Sequence, residues 1–240
     1  LFDYPITHIE SIARFEIKDV ITSGRKIREA IEQSMLDGWD DPRLSTIVAL
    51  RKRGFTPEGL QGFLLSTGLS KSESVLTWDD LIMHNRRILD KEADRYFFIK
   101  NPKLINIQGT PKKQISIRRN PSEDHGDRKF SIDGHFFITY DDYDKLEDGK
   151  LYRLMDCINF TREGDNFKFV SESVEDYKKE GVFIMHWLPK ENEEITIRLP
   201  NNQLMQGLAE SEVKSLDDGE IVQFERFGFC RKNQDEFWMA

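Results

Sequence analysis

The sequence predicts an α+β, multidomain chain: a helical first part followed by an all-β half built from antiparallel strands closed into barrels. Three observations carry this. Up to residue 94, apolar residues recur at spacings of three and four between cap and stop signals, the pattern of helices with one buried face. After Asp94 the period drops to two, in short segments rich in β-branched and aromatic residues and separated by Gly, Asp, Asn or Pro. Those segments are many and apolar, and barrel closure removes the exposed edges through which such strands would aggregate.

In order, alternation of Ala13, Phe15 and Ile17 with Arg14, Glu16 and Lys18 reads as a half-buried strand, and Thr22, Ser23 and Gly24 as a polar loop. From residue 20 to 94 the chain reads as helical. Ile27, Ala30, Ile31 and Met35 form the face of a first helix that Gly38 is placed to stop. Asp40, Asp41 and Pro42 then suit the start of a second, which would bury Leu44, Ile47 and Val48 and end at Gly54. Its tip, Arg51, Lys52 and Arg53 with Arg43 behind, suits either a solvated helix end or a polyanion contact. Thr56 and Pro57 open a third helix with Leu60, Phe63 and Leu64 on its face and Gly68 at its close. Thr77 caps a fourth that carries Asp79 and Asp80 in its first turn and Leu81, Ile82, Ile88 and Leu89 as apolar contacts. The strand segments that follow are RYFFIKNPKLINI, KKQISIRRN, KFSIDGHFFITY, KLYRLMDCINFTR, NFKFVSE, VFIMHWLP, EEITIRLP, QLMQGLA and EIVQFERFGFC.

Composition excludes several classes. With 38% hydrophobic and 32% charged residues the chain is of globular type, and no apolar run approaches the ~20 residues of a membrane helix. Cys157 and Cys230 lie far apart with no metal-ligand spacing and read as buried thiols of a reducing cytoplasm; the five histidines show no paired spacing, so no metal is expected. A net charge of -8 argues against a sequence-indifferent polyanion binder but leaves room for a selective RNA binder with local cations, such as Arg86 with Arg87, Lys112 with Lys113 and Arg118 with Arg119.

GWDDPRLSTIVALRKRG, residues 38–54, closely resembles the segment that follows the nucleotide-binding fold in class I glutamate and glutamine tRNA ligases, a GWDDPR pattern, a small-residue helix and an arginine-rich tip. EGVFIMHWLP, IRLPNNQLMQGLAE and GEIVQFERFGF look like later strands of the archaeal glutamate enzymes, and RRNPSEDHGDRKF like their loop into a distal barrel. The resemblance implies the carboxyl-terminal part of such a ligase. Residues 1–94 would be the end of the catalytic region and a helical stem-contact domain, 95–110 plus 182–240 a proximal anticodon-binding barrel, and 111–181 a distal one. It also implies an ATP loop of the KMSKS kind at residues 22–26, with Ser23 and Lys26 toward the triphosphate and departures at Gly24 and Arg25. Lys71 would touch the tRNA backbone. Arg95, Gln223 and Arg226 match residues that enclose the central anticodon uridine, Lys145 the third base and Arg153 the first.

Periodicity resists one part of this. Gln223 and Arg226 are three apart, so in a regular strand they face opposite sides, and a bulge or strand end near Gly228 is needed to bring both to one pocket. Phe97, Phe98, Phe136, Phe137 and Trp187 read as core more readily than as stacking platforms, and His186 as a satisfied core or rim residue. The expected partners are tRNA for glutamate, or for glutamine as the alternative, with no DNA and no membrane, on a monomer in the cytoplasm. ATP and Mg²⁺ belong to the complete enzyme. The sequence lacks a HIGH-type motif and a nucleotide-binding βαβ unit before its loop, so this stretch alone is expected to bind no cofactor and not to catalyse; a free-standing tRNA-binding module is the remaining alternative.

Overall fold

The computed structural model describes residues 15–18, 20–68 and 74–240. They form two compact units: residues up to Arg51 together with Phe55–Ile88, and Lys52–Gly54 together with Leu89–Ala240. The architecture is α+β, with helices concentrated before residue 93 and mixed sheets after it. No described helix is long and apolar enough to cross a membrane.

In the first unit, β1 (Phe15–Ile17) pairs in parallel with β2 (Ser74–Leu76), so a strand interrupts the stretch expected to be helical throughout. Helix α1 (Gly24–Glu32) buries Ile27 and Ala30. It stops before Met35, not at Gly38. Ser34 takes φ 57°, its N–H donating to Ile31 O and that of Met35 to Ala30 O, each at 2.9 Å. This paired closure satisfies the last carbonyls and leaves Met35 57% exposed.

Helix α2 (Ile47–Arg53) also starts later than its acidic signals suggest. Asp41, 1% exposed, is used up in the preceding loop, where it accepts the N–H groups of Asp37 and Arg43 and the Arg43 guanidinium. The Thr46 hydroxyl accepts the Ala49 N–H instead, at 3.1 Å. The helix buries Ala49, Leu50 and Arg53 and leaves Ile47 and Val48 exposed. Helix α3 (Pro57–Ser66) follows its signals, with Thr56 Oγ1 accepting the Gly59 N–H at 3.0 Å and Phe63 buried, though Leu64 is exposed. Removing this cap with Thr56→Ala should lower stability by about 1 kcal/mol in urea unfolding, and Thr56→Ser should restore most of it. Helix α4 (Trp78–Glu92) opens on a reciprocal box, Thr77 Oγ1 accepting from Asp80 N and Asp80 Oδ2 from Thr77 N.

The second unit holds the strands β3 (Asp94–Tyr96), β4 (Phe98–Lys100), β5 (Pro102–Gln108), β6 (Lys113–Arg118), β7 (Asp127–Ile132), β8 (His135–Thr139), β9 (Leu151–Leu154), β10 (Asn159–Glu163), β11 (Asn166–Ser171), β12 (Gly181–Met185), β13 (Asn192–Arg198), β14 (Leu204–Glu210), β15 (Ile221–Phe224), β16 (Gly228–Asn233) and β17 (Glu236–Met239). Short helices α5 (Tyr140–Tyr143) and α6 (Val174–Glu180), and the strand β17, carry no signal used in the sequence reading. One sheet has the order β3-β15-β16-β17-β13-β14-β4, another β12-β9-β10-β11-β5-β8, and β6-β7 is a separate hairpin.

These sheets are mixed, which corrects the antiparallel expectation: β3 with β15, β17 with β13, β11 with β5 and β12 with β9 run parallel. Neighbours joined by tight turns must be antiparallel, but these four pairs are far apart along the chain and no hairpin fixes their direction. Strands β5 and β12 both pair in the six-stranded sheet.

Residues 96–99 show how alternation serves two cores. Tyr96 and Phe98 enter the core of the seven-stranded sheet with Val222, Phe224 and Phe237. Phe97 and Ile99, pointing the other way, enter the larger core with Phe130, Phe136, Tyr152 and Trp187.

Candidate nucleic-acid interface

Strands β3 and β15 bring together residues far apart in sequence, with Gln223 the register partner of Arg95 and Phe224 that of Tyr96. Since Phe224 and Tyr96 point into the core, Gln223 and Arg95 stand side by side on the opposite face. Gln223 Oε1 and Arg95 Nε are both buried without a hydrogen-bond partner. Beyond Phe224 the strand breaks into a turn over Glu225, Arg226 and Phe227, and β16 resumes at Gly228. Arg226 takes φ 59°, a conformation that residues with a Cβ seldom adopt. Its guanidinium is exposed and donates from Nη1 to Ile184 O at 3.1 Å. The strand irregularity that the sequence required is therefore a turn.

A cleft of about 430 Å³ opens beside Arg95, lined also by Arg118, Arg128, Asp156 and Glu225. Arg128, 1% exposed, sits over the Phe97 ring with its Cζ 4.7 Å from the centroid. Its Nη1 donates to Glu210 Oε1 at 2.5 Å and its Nη2 to Glu225 Oε1 at 3.3 Å. Glu210 also accepts the Phe97 N–H. Burial pushes the Glu210 carboxyl up, while Arg128 and the Phe97 N–H pull it back down. Glu225 is likewise raised by burial, against the attraction of Arg128 and Arg95.

His186 packs beside this group, stacked on Phe97 with centroids 4.9 Å apart. It is a core residue, but not a satisfied one: Nε2 lies 3.9 Å from Glu225 Oε2 and has no hydrogen-bond partner. Burial, reinforced by the positive Arg226 and Arg128, lowers its pKa to about 3 and keeps the ring neutral. Sequence reasoning missed Arg128, Glu210 and Glu225. The contacts of Arg128 with the two acids span 82 and 97 positions, and no local pattern announces them.

Other expected site residues lie elsewhere. Arg153 is 5% exposed on β9, where Nη1 donates to Asn159 Oδ1 at 2.8 Å and to Glu172 O at 3.1 Å. It is not a solvated turn cation, since all four β9 residues are buried. Lys145 is exposed in the turn after α5, near the carboxylate of Asp141. Ser23 caps α1 by position, with no side-chain cap bond, and Lys26 is exposed in the first turn. Lys71 lies outside the described residues. The cationic tip is mixed, not uniformly solvated. Arg51 is exposed, Lys52 lies over the Trp238 ring, and Arg53 is 2% exposed with Nε donating to Met239 O. Burial lowers the Arg53 pKa to about 10. Phe97, Phe98, Phe136 and Trp187 are buried in the cores. Among the described residues no three His, Cys, Asp or Glu side chains are grouped to hold a metal.

Comparison with known proteins places this arrangement in a family. Three family models match in succession: the catalytic domain of class I tRNA synthetases (E and Q) over residues 2–91, and two anticodon-binding domains of the same enzymes over residues 93–178 and 184–233. The chain belongs to the class I glutamate and glutamine tRNA synthetase family. Within it, similar curated proteins include archaeal glutamate–tRNA ligases. The chain is 38% identical to that of Archaeoglobus fulgidus over 242 residues, 99% of this chain and 42% of the relative. It is 36% identical to that of Pyrococcus furiosus over 98% of the chain and 42% of the relative. With that of Methanocaldococcus jannaschii it shares 33% identity over 92% of the chain and 41% of the relative. The chain thus spans about two fifths of the length of these relatives.

Proposed function

We infer that this chain is the tRNA-binding, anticodon-recognising part of a glutamate–tRNA ligase, an enzyme that joins glutamate to its tRNA at the expense of ATP. The observation that carries the reading is the register pairing of Arg95 with Gln223, each with an unpartnered buried polar atom, beside the Arg226 turn. A base edge offers the donors and acceptors that such atoms lack, and a splayed anticodon loop presents its bases singly. In this reading Arg95, Gln223 and Arg226 enclose the central uridine, Lys145 meets the third base, and Lys71 contacts the backbone. Arg153 acts through the fold of β9, holding Asn159 and the Glu172 carbonyl, and reaches the first base only after rearrangement.

The seven-stranded sheet is read as the proximal barrel, because its two edges, β3 and β4, are separated along the chain by Phe97 alone. The six-stranded sheet with the β6-β7 hairpin is read as the distal one. Residues 1–94 supply the end of the catalytic region and the stem contact. ATP is a substrate of the proposed reaction, and a free Ser23 hydroxyl with an exposed Lys26 at the start of α1 suits its phosphates. Mg²⁺ accompanies ATP, and the protein acts as a monomer in the cytoplasm. The family models describe enzymes for both E and Q, so a glutamine–tRNA ligase is the second reading. A third-base swap in the tRNA separates the two.

The decisive test is Arg226→Ala. It should weaken cognate tRNA by about 1 to 3 kcal/mol, the order of one specific base contact, and much less when the central base is already changed. An equal loss on both tRNAs in a filter-binding assay would make Arg226 a phosphate or structural residue. Binding by the chain should also weaken steeply with salt.

A further inference from the structure

Arg95, Arg118 and Arg128 face one cleft, yet that cleft also carries two acids, Asp156 and Glu225. In a protein that handles a polyanion, clustered guanidinium groups would by themselves capture a phosphate, whose oxygens they match in bidentate fashion. Glu225 opposes that. Its side chain is 17% exposed, lies 3.3 Å from Arg128 Nη2 and is attracted by Arg95. Asp156 is exposed in the turn after β9, at φ 51°, and its charge repels that of Glu225. Carboxylates a few ångströms from a phosphate repel it, and near a protein surface the repulsion is far stronger than in bulk water. An uncharged base edge feels no such repulsion, and Arg95 lines the cleft beside it.

We propose that Glu225 and Asp156 are specificity-determining residues that exclude phosphate from this cleft, so that its arginines accept an uncharged nucleobase edge while backbone phosphates bind elsewhere. The nucleobase half of this rests on the anticodon reading above; the phosphate half does not. Glu225→Gln keeps an oxygen acceptor for Arg128, and Asp156→Asn keeps a residue type that tolerates the left-handed backbone.

Inorganic phosphate is titrated into the wild-type chain, Asp156→Asn and the double variant, following arginine Nε–H resonances by NMR. The double variant should bind phosphate about tenfold tighter than wild type, with Asp156→Asn in between. Equal affinities in all three overturn the proposal whatever happens with RNA, and the exposed Asp156→Asn guards against a double variant that fails to fold. In parallel, binding to cognate tRNA and to a tRNA with a changed central anticodon base is measured across salt. The double variant should hold the changed tRNA several-fold tighter than wild type does, with a salt slope steeper by about one. An unchanged discrimination ratio and slope also count against the proposal. Wild-type protein that binds both tRNAs equally sinks the anticodon reading alone, and the phosphate titration still decides exclusion.

Discussion

Replacing Arg128 with methionine should destabilise the second unit by about 3 to 5 kcal/mol at pH 8, because it leaves the Glu210 carboxyl, 3% exposed, without its cation in the core, where it must either hold a buried charge or take up a proton against the pH. Methionine covers much of the stacking surface on Phe97, so the loss reports the charge more than the volume. The effect is pH-dependent, with a definite sign. Without Arg128 the buried Glu210 rises still further above its ordinary value of 4.5. A carboxyl raised in the folded state binds more protons there than in the unfolded chain, so the variant loses stability as pH climbs above 4.5. The deficit is smaller at pH 5 than at pH 8. Pairing Arg128→Met with Glu210→Gln should recover most of the loss, since the amide oxygen still accepts the Phe97 N–H. Urea unfolding followed by the fluorescence of the buried Trp187 tests this, and a loss below about 1 kcal/mol at both pH values would show that Glu210 finds another partner.

The second large effect belongs to His186. Its folded pKa of about 3 lies below the ordinary 6.5, so the unfolded chain binds the proton that the folded chain refuses. Stability from this group is full above pH 6.5 and falls by about 1.4 kcal/mol per pH unit on the way down to 3, on the order of 5 kcal/mol in all. Glu210 acts in the opposite direction as pH rises above 4.5, so the raw curve mixes the two. His186→Phe isolates the histidine. It preserves the stack on Phe97 and removes a nitrogen that has no partner. The wild-type minus variant difference should slope through pH 6.5 to 3, and a flat difference would mean that His186 is solvated on protonation.

Much of the fold was legible because strands and helices announce themselves locally. Alternation marked the segments that became β3 to β16, and Thr56-Pro57 and Thr77 marked the starts of α3 and α4. The misplaced boundaries share a cause, competition for the same polar groups. Asp41 was free to cap a helix in the sequence but is consumed by Arg43 and Asp37 in the loop. Ser34, an unremarked serine, closes α1 where a glycine four residues later was expected. Strand directions were illegible since parallel pairing depends on distant partners. The candidate site divides the same way. Arg95, Gln223 and Arg226 came from family resemblance, and periodicity argued against the last. Arg153 also came from the resemblance, and its burial on β9 beside Asn159 was not legible because the partner lies on the neighbouring strand.

The two edges of the seven-stranded sheet are β3 and β4, one short stretch of chain, while their neighbours β15 and β14 come more than a hundred residues later. During synthesis, Asp94–Lys100 therefore leaves the ribosome long before anything exists to pair with either half of it. Its apolar run Tyr96, Phe97, Phe98 and Ile99 must wait, unpaired, for strands translated more than a hundred residues later. Contacts of such sequence separation make for slow folding and a long interval of exposed strand. In a cell the yield of this protein should depend on chaperone capacity during that interval more than on the stability of the finished sheet.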